Sequence, residues 1–184
     1  MASVELPGAA VDENTIVSER IAAAQKDPEA FSGLYTAYVR PMFRFLYNRV
    51  GSAEEAQELT AAVFLAAVES LPRYSHRGNF AAWLFSIARR KVADYYRRRP
   101  PIPLDEIRNL PGEGDIAEVV SRRDEILRMR ERIAALDEDE REWIHLHFAA
   151  DLTYAEMAAL LGKNEEALKK AMQRLLSRLR TTLE

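Results

Sequence analysis

A stretch rich in proline, glycine and acids divides this chain into two parts. Residues 100–120 contain four prolines, two glycines and five acids but only one arginine. Proline lacks a backbone N–H and glycine is conformationally free, so this composition is typical of a solvated linker. On both sides of it, apolar residues recur at helical spacing with little two-residue alternation. The sequence therefore predicts an all-α protein of two small helical domains joined by a flexible linker.

The predicted domain boundaries follow from that division. We expect residues 1–17 to form a disordered tail, residues 18–99 a first domain and residues 121–184 a second. The 21 residues of the linker can span roughly 70 Å, at about 3.3 to 3.6 Å per extended residue. The two domains therefore need not touch, and can occupy sites about two turns of DNA apart.

Three helices are predicted in the first domain. The first runs over Pro28–Val50 with Asp27 as its N-cap and proline at its first position. The second covers Ser52–Pro72, where the serine and Glu55 have the spacing of a capping box. The third follows Gly78 and extends through Tyr96.

The segment Arg73–Arg99 is strongly cationic. It holds eight basic side chains and one acid, a formal charge of +7, inside a chain whose net charge is −3. Aromatic residues alternate with these cations, so the segment offers both phosphate neutralisation and ring faces on which bases can stack. The pattern favours a surface that binds nucleic acid.

A structural explanation accounts for part of this pattern. Four apolar residues of the segment fall at i, i+3, i+4 and i+7, the spacing of a helix face packed into a core: Phe80, Trp83, Leu84 and Ile87. We therefore expect most of the aromatic residues to be packing residues. A second face carries the charges and lacks acids: Ser86, Arg89, Arg90, Ala93 and Arg97.

The second domain contains the pattern of a helix-turn-helix. After predicted helices over 121–136 and 138–149, Thr153 and Glu156 form a capping box and Gly162 ends a short helix. The next helix has an apolar stripe opposite a polar face, and such a helix can lie in a major groove. An αα-hairpin that only stabilises a small bundle has the same stripe. Glu165 and Glu166, in the first turn, can cap the helix, accept from cytosine or repel phosphate.

Composition and motif searches argue against other classes of protein. The chain has no cysteine and three histidines, and His145 and His147 are two residues apart, so they point to different sides of a helix. Phosphate-binding, dinucleotide-binding and hydrolase motifs are missing. The acid run Asp137–Glu140 is ordinary capping chemistry at a helix start. We expect no cofactor, no metal site and no enzyme activity, and a cytoplasmic protein without membrane insertion.

Three strings in this order resemble the extracytoplasmic-function (ECF) group of bacterial sigma factors. They are Phe31–Arg49, Val63–Arg99 and Leu152–Arg180, and the order of the modules extends the resemblance over nearly the whole chain. The second string is the most specific, because a leucine-proline pair, an arginine-glycine loop, a W-L-x-x-I-A-R core and an arginine run occur in family order. The resemblance implies a domain like sigma region 2, which binds polymerase and melts promoters, and one like region 4, which reads the upstream element.

The resemblance also implies partners and site residues. The partners are core RNA polymerase, promoter DNA and a regulatory anti-sigma factor. The loop 74–79 matches the family loop that receives a flipped base, and the arginines after it hold backbone. The implied promoter-melting residues are Tyr74, His76, Arg77, Asn79, Trp83, Ser86, Arg89, Arg90, Arg97 and Arg98. The implied helix-turn-helix contacts are Thr153, Lys163, Asn164, Lys169, Lys170, Gln173, Arg174 and Arg178.

Two departures from the family pattern keep alternatives open. In the reading helix, Lys169 is followed by Lys170 and Ala171, where the family commonly has a small hydroxyl residue and then arginine. Ala61 and Ala62 stand where the family places a glutamine and an acid for polymerase, while Glu54, Gln57 and Glu58 reproduce that spacing one turn earlier. The alternatives are a sequestered sigma-like protein bound to a regulator, a self-sufficient helix-turn-helix repressor and, as a minor one, an RNA-processing enzyme.

Overall fold

The computed structural model describes residues 13–75, 79–98, 129 and 131–181, and every regular element in these ranges is helical. The first module, residues 13–98, contains α1 (Glu13–Ala24), α2 (Ser32–Val50), α3 (Ala53–Ser70) and α4 (Phe80–Arg98). The second module, residues 129–181, contains helical residues 131–134, α5 (Glu138–Ile144), α6 (Tyr154–Leu161) and α7 (Glu165–Thr181). The all-α prediction is confirmed, whereas the predicted linker, residues 100–120, lies outside the described residues.

Helix α1 begins inside the segment expected to be a tail. It starts at Glu13, so residues 13–17 are helical. Val17 packs against the core, and Ile21 and Ala24 are buried in it. These three residues have the i, i+4, i+7 spacing of a helix face, a signal that was present in the sequence.

The start of the first predicted helix differs in its first turn. Asp27 is an N-cap, as expected, and its carboxylate accepts from the Glu29 backbone N–H at 2.9 Å. The residues Pro28–Phe31, however, form a 3₁₀ turn, and the α-helix begins at Ser32. At the other end Gly51 closes α2 with φ = 74°, in the left-handed region that glycine adopts without strain.

The core of the first module lies between α2, α3 and α4. Phe45 and Phe85 meet edge to face with ring centroids 5.4 Å apart, and both are fully buried. Phe80, Leu84 and Ile87, predicted as a packing stripe, are buried as expected. The arginines of α4 lie outside this buried face of the helix.

The helix-turn-helix pattern is confirmed in detail. The Thr153 hydroxyl accepts from the Glu156 N–H, and the Glu156 carboxylate accepts from the Thr153 N–H at 2.7 Å. Gly162 ends α6 with φ = 64°, and the Asn164 side chain accepts from the Ala167 N–H at the start of α7. The helix predicted over 138–149 has the expected span, but its last five residues, His145–Ala149, are π-helical.

The two modules pack against each other. Helix α4 contacts α6, and α2 contacts the π-helical turn. Core residues of both modules form one buried cluster. From the sequence we inferred only that the two modules need not touch, because no pattern in it indicates which surfaces of the modules would meet.

Candidate nucleic-acid interface

One wall of a cleft is formed by the first two turns of α4 together with Tyr74, Ser75 and Asn79. Four residues predicted to bind DNA line it, namely Tyr74, Asn79, Trp83 and Ser86. The cleft has a volume of about 340 Å³, and Ala159 and Leu160 of α6 line its other side. The structure therefore brings together side chains that the sequence had placed in a single site, while His76 and Arg77 lie outside the described residues.

Aromatic packing sets the shape of the cleft. The Tyr74 ring lies 4.6 Å from Trp83 and 5.8 Å from Phe80, measured between centroids. Phe80 is buried and anchors the cluster, whereas Trp83 and Tyr74 are half-buried. Burial raises the pKa of the Tyr74 hydroxyl above its ordinary value, which itself lies well above neutral pH, and the ring is therefore uncharged. Two neutral ring systems therefore line the cleft where a base can contact them.

A residue that the sequence did not single out holds the loop in place. The Gln25 side-chain amide, just after α1, donates to the carbonyl oxygens of Leu71 at 3.0 Å and Tyr74 at 2.7 Å. These bonds tie α1 to the turn that carries Tyr74. Sequence reasoning missed Gln25 because its partners are backbone atoms 46 and 49 residues away.

Gln25→Ala should lower the free energy of unfolding by about 1 kcal/mol, because it removes two partly buried hydrogen bonds. Urea unfolding followed by circular dichroism measures this change. Lys26→Ala, at the exposed neighbouring position, is the matched control. A Gln25 variant as stable as the control variant would show that the loop is held by packing alone.

The arginines of α4 continue from the cleft along one side of the helix. Arg89 donates to the Glu142 carboxylate, and the Arg90 Nε donates to the Ser86 carbonyl at 3.3 Å. Arg97 pairs with Asp94 at 2.9 Å but stays 75% exposed. We call the surface formed by the following residues the cationic face: Tyr74, Asn79, Trp83, Ser86, Arg89, Arg90, Arg97 and Arg98.

Asn79 also has a structural role. Its side-chain oxygen accepts from the Ala82 N–H at 3.3 Å, so it caps the first turn of α4. This bond satisfies one of the backbone N–H groups that the start of a helix leaves without an intrahelical partner.

A second exposed surface lies on α3. The predicted polymerase residues Glu54, Gln57 and Glu58 are all exposed. Leu65 is 62% exposed and Val68 37% exposed, and their spacing continues the stripe that the two glutamates begin. Sequence reasoning missed these two apolar residues, although they lie outside the buried stripe of α3, which includes Val63, Phe64 and Ala67.

The helix-turn-helix residues are all on the surface, and two are paired within the module. Lys163 bonds to Asp139 at 3.4 Å and lies 5.5 Å from the centroid of the Trp143 ring. Arg178 pairs with Glu140. Thr153 and Asn164 serve as the caps described above, and the remaining predicted contacts are exposed on α7: Lys169, Lys170, Gln173 and Arg174.

Comparison with known protein families agrees with this division. Sigma-70 region 2 matches residues 34–100, and Sigma-70 region 4 matches residues 126–179. The chain is 32% identical over 188 residues to the ECF RNA polymerase sigma factor ShbA of Streptomyces griseus, with 94% of the chain and 98% of that protein covered. The chain belongs to the ECF group of sigma-70 factors. The resemblance inferred from the sequence is thereby confirmed.

Two further comparisons extend this result. The chain is 31% identical over 166 residues to the ECF sigma factor BldN of Streptomyces coelicolor, covering 85% of the chain and 60% of BldN. The solved structure of CnrH in complex with the cytosolic domain of CnrY covers 90% of the chain, with a TM-score of 0.65 and 23% identity. This last likeness concerns the fold. In the described parts of this sigma factor, we find no helix with the length and apolarity needed to cross a bilayer.

Proposed function

We propose that this sigma factor recruits core RNA polymerase to promoters, opens the DNA near the start site with the cationic face, and reads the upstream element with α7. The observation that carries the proposal is the cleft of Tyr74 and Trp83, which continues into the arginines of α4. A role of this kind is non-catalytic. The residues of the cationic face suit such a role, because they can bind phosphate, stack on bases and orient DNA.

The chemistry of the cationic face suits an unpaired strand. Extruding a base costs a few kcal/mol of unstacking, which stacking on an aromatic ring and contacts to phosphate can offset. Tyr74 and Trp83 provide ring surface, and Ser86 provides a hydroxyl at the wall of the cleft. The guanidinium groups of α4 contact phosphates in this proposal, so they affect affinity more than sequence choice.

The second module suits a duplex. Its α7 displays Lys169, Lys170, Gln173 and Arg174 to solvent, and its buried stripe of Leu168, Met172 and Leu175 fixes the helix on the module. An exposed polar helix of this kind fits the major groove, where glutamine and lysine can reach base edges. Glu165 and Glu166 are exposed in the first turn. In this position their carboxylates can accept from the amino group of cytosine.

The proposed partners are core RNA polymerase, promoter DNA and an anti-sigma protein. Because bacterial polymerase and promoter DNA lie in the cytoplasm, the proposed location of the chain is also the cytoplasm. The polymerase surface in this proposal is the exposed stripe of α3. It combines the acids Glu54 and Glu58 with the apolar Leu65 and Val68. An anti-sigma protein that covers either this stripe or the cationic face would silence the sigma factor.

Reconstituted run-off transcription tests the proposal. Core polymerase alone, the chain alone and the two together are incubated with promoter DNA, and strand opening is followed by permanganate reactivity. Transcripts that require both components support the proposed function. Sequence-specific duplex binding without polymerase would favour a repressor, and binding to polymerase without opening would favour a sequestered relative.

Leu65→Asp should weaken binding to core polymerase about tenfold, because it places a charge in a contact that the apolar side chain would make. Pull-down titration or fluorescence anisotropy with labelled chain measures the dissociation constant. Ala53→Asp is the matched control, an exposed position about 120° around α3 from Leu65. Equal affinities for the two variants would place the polymerase surface elsewhere.

A further inference from the structure

The side chain of Gln25 holds the turn that enters the cleft at two points. Its NH₂ group has two hydrogens and meets two carbonyl oxygens, those of Leu71 at 3.0 Å and Tyr74 at 2.7 Å. The Leu71 oxygen also accepts from the Tyr74 backbone N–H at 3.0 Å, and this bond closes the 3₁₀ turn Leu71–Arg73. Gln25 therefore binds the first residue of that turn and the residue that follows it.

Helix α1 supports Gln25 from behind. Ile21 and Ala24 of this helix are buried in the core of the first module. The Ile21 carbonyl accepts from the Gln25 backbone N–H at 2.9 Å, so the last helical turn extends to Gln25. A side chain that is held on a packed helix keeps a more precise position than one on a loop. Gln25 is thus a fixed donor to which the turn is attached.

The backbone that Gln25 holds is part of the cleft wall. Tyr74 and Ser75 both line the cleft, and the Tyr74 carbonyl belongs to the planar peptide unit between them. The Tyr74 ring packs on α4, with its centroid 5.8 Å from that of Phe80 and 4.6 Å from that of Trp83. Tyr74 is therefore held by α4 through its ring and by Gln25 through its main chain.

Capture of a base depends on the position of these rings before the base arrives. Extruding a base from a duplex is unfavourable, and stacking on an aromatic ring offsets this cost only where the ring already lies in reach. If the main chain at Tyr74 were free to move, ordering it would consume part of the stacking energy. A displacement of about 1 Å can slow a step that depends on such positioning about a hundredfold.

We propose that Gln25 is a positioning residue for promoter opening, which fixes the peptide unit between Tyr74 and Ser75 and so holds the aromatic wall of the cleft ready for an unpaired base. This inference rests on the proposed function of the cleft. Gln25 acts through the main chain of Tyr74 and not by contact with DNA. Helix α1, which precedes the residues 34–100 that match sigma region 2, thereby takes part in strand opening.

The test compares the binding of forked promoter DNA with and without the captured base. The protein is the complex of the full chain with core polymerase, and the probes carry an abasic site at one position at a time in the unpaired non-template strand. One abasic probe should bind the wild-type complex about tenfold more weakly than the intact fork, because one stacked base is lost. Both affinities are measured on the same sample, so a lower fraction of folded protein does not change their ratio.

Substitutions of Gln25 separate its donor group from its size and charge. Gln25→Glu keeps the length of the side chain but places a carboxylate, which cannot donate, against two carbonyl oxygens. The tenfold ratio should fall below about twofold in this variant, with wild-type affinity for the abasic fork. Gln25→Met, which removes the donor without adding a charge, should behave in the same way. Gln25→Lys, whose ammonium group can donate to both oxygens, should retain the ratio, and so should the control Ala23→Glu at an exposed position of α1.

The outcomes distinguish a failure of this inference from a failure of the proposed function. A wild-type ratio in both Gln25→Glu and Gln25→Met would overturn the inference alone, and Gln25 would then contribute only to stability. Equal losses of affinity for the intact and abasic forks in these variants would overturn it as well, because they would show a general structural defect. If the wild-type complex binds every abasic fork as tightly as the intact one, base capture by the cleft fails, and the role of Gln25 fails with it.

Discussion

Replacing Arg89 and Arg90 together by alanine should reduce the formation of open promoter complexes about a hundredfold while leaving polymerase binding nearly unchanged. Each arginine is expected to make one charge-assisted phosphate contact worth about 1.4 kcal/mol, so two contacts give two factors of ten. Both residues lie on α4, whereas the proposed polymerase surface is the exposed stripe of α3. The measurement is permanganate reactivity of the promoter at saturating polymerase, with polymerase affinity determined in parallel.

Salt dependence makes this test specific. Losing two contacts to a single strand should make the plot of log affinity against log salt shallower by about 1.4. Arg20→Ala combined with Arg40→Ala removes two exposed charges from α1 and α2, and this pair is the matched control. Equal loss of polymerase binding and promoter opening in the Arg89 and Arg90 variant would instead indicate misfolding or a polymerase contact.

Acidification from pH 7.5 to pH 5 should lower the free energy of unfolding through His145 by about 2 kcal/mol. Burial, followed by the charges of Arg49 and Arg141, lowers the pKa of this imidazole from 6.5 to about 4. Its Nδ1 is buried and has no hydrogen-bond partner among the described residues. The folded chain therefore holds His145 neutral, with an arginine of each module facing it.

The sign follows from the direction of the shift. Between about pH 6.5 and about pH 4, the His145 imidazole is protonated in the unfolded chain but not in the folded chain. The contribution of His145 to the free energy of unfolding is therefore constant above this range and falls as the pH is lowered through it. Urea unfolding at both pH values measures the effect. His145→Gln should remove most of the acid dependence, whereas His147→Gln, which alters an imidazole in the same π-helical turn, should retain it. A wild-type slope in His145→Gln would assign the dependence to other groups.

Local elements of the fold were predictable because their signals lie within a few residues. The capping box of Thr153 and Glu156 and the left-handed turns at Gly51 and Gly162 depend on side chains and backbone groups three or four positions apart. The π-helical turn and the 3₁₀ turn after Asp27 were not predicted. In these turns each backbone hydrogen bond reaches one residue further or one residue less far along the chain than in an α-helix. The spacing of apolar residues does not resolve so small a difference.

The candidate site was predictable in its residue types and only partly in its connections. Tyr74, Asn79, Trp83 and Ser86, which the family resemblance implied for one site, line one cleft. Gln25 was missed because it bonds to distant carbonyl groups, and the partner of Arg89 was missed because it lies 53 residues away. Backbone acceptors and remote acids leave no periodic pattern around the residue that they bind.

The sequence by itself determined helices α2 to α7, most of their caps, the division into two modules and the family to which the chain belongs, because periodicity and capping are local properties; helix α1 was not predicted. Only the tertiary structure decided that α6 lines the cleft and that Glu142 forms an ion pair with Arg89. The reason is physical: which surfaces of the two modules meet depends on the summed fit of surfaces and charges that lie far apart in the chain and leave no local pattern.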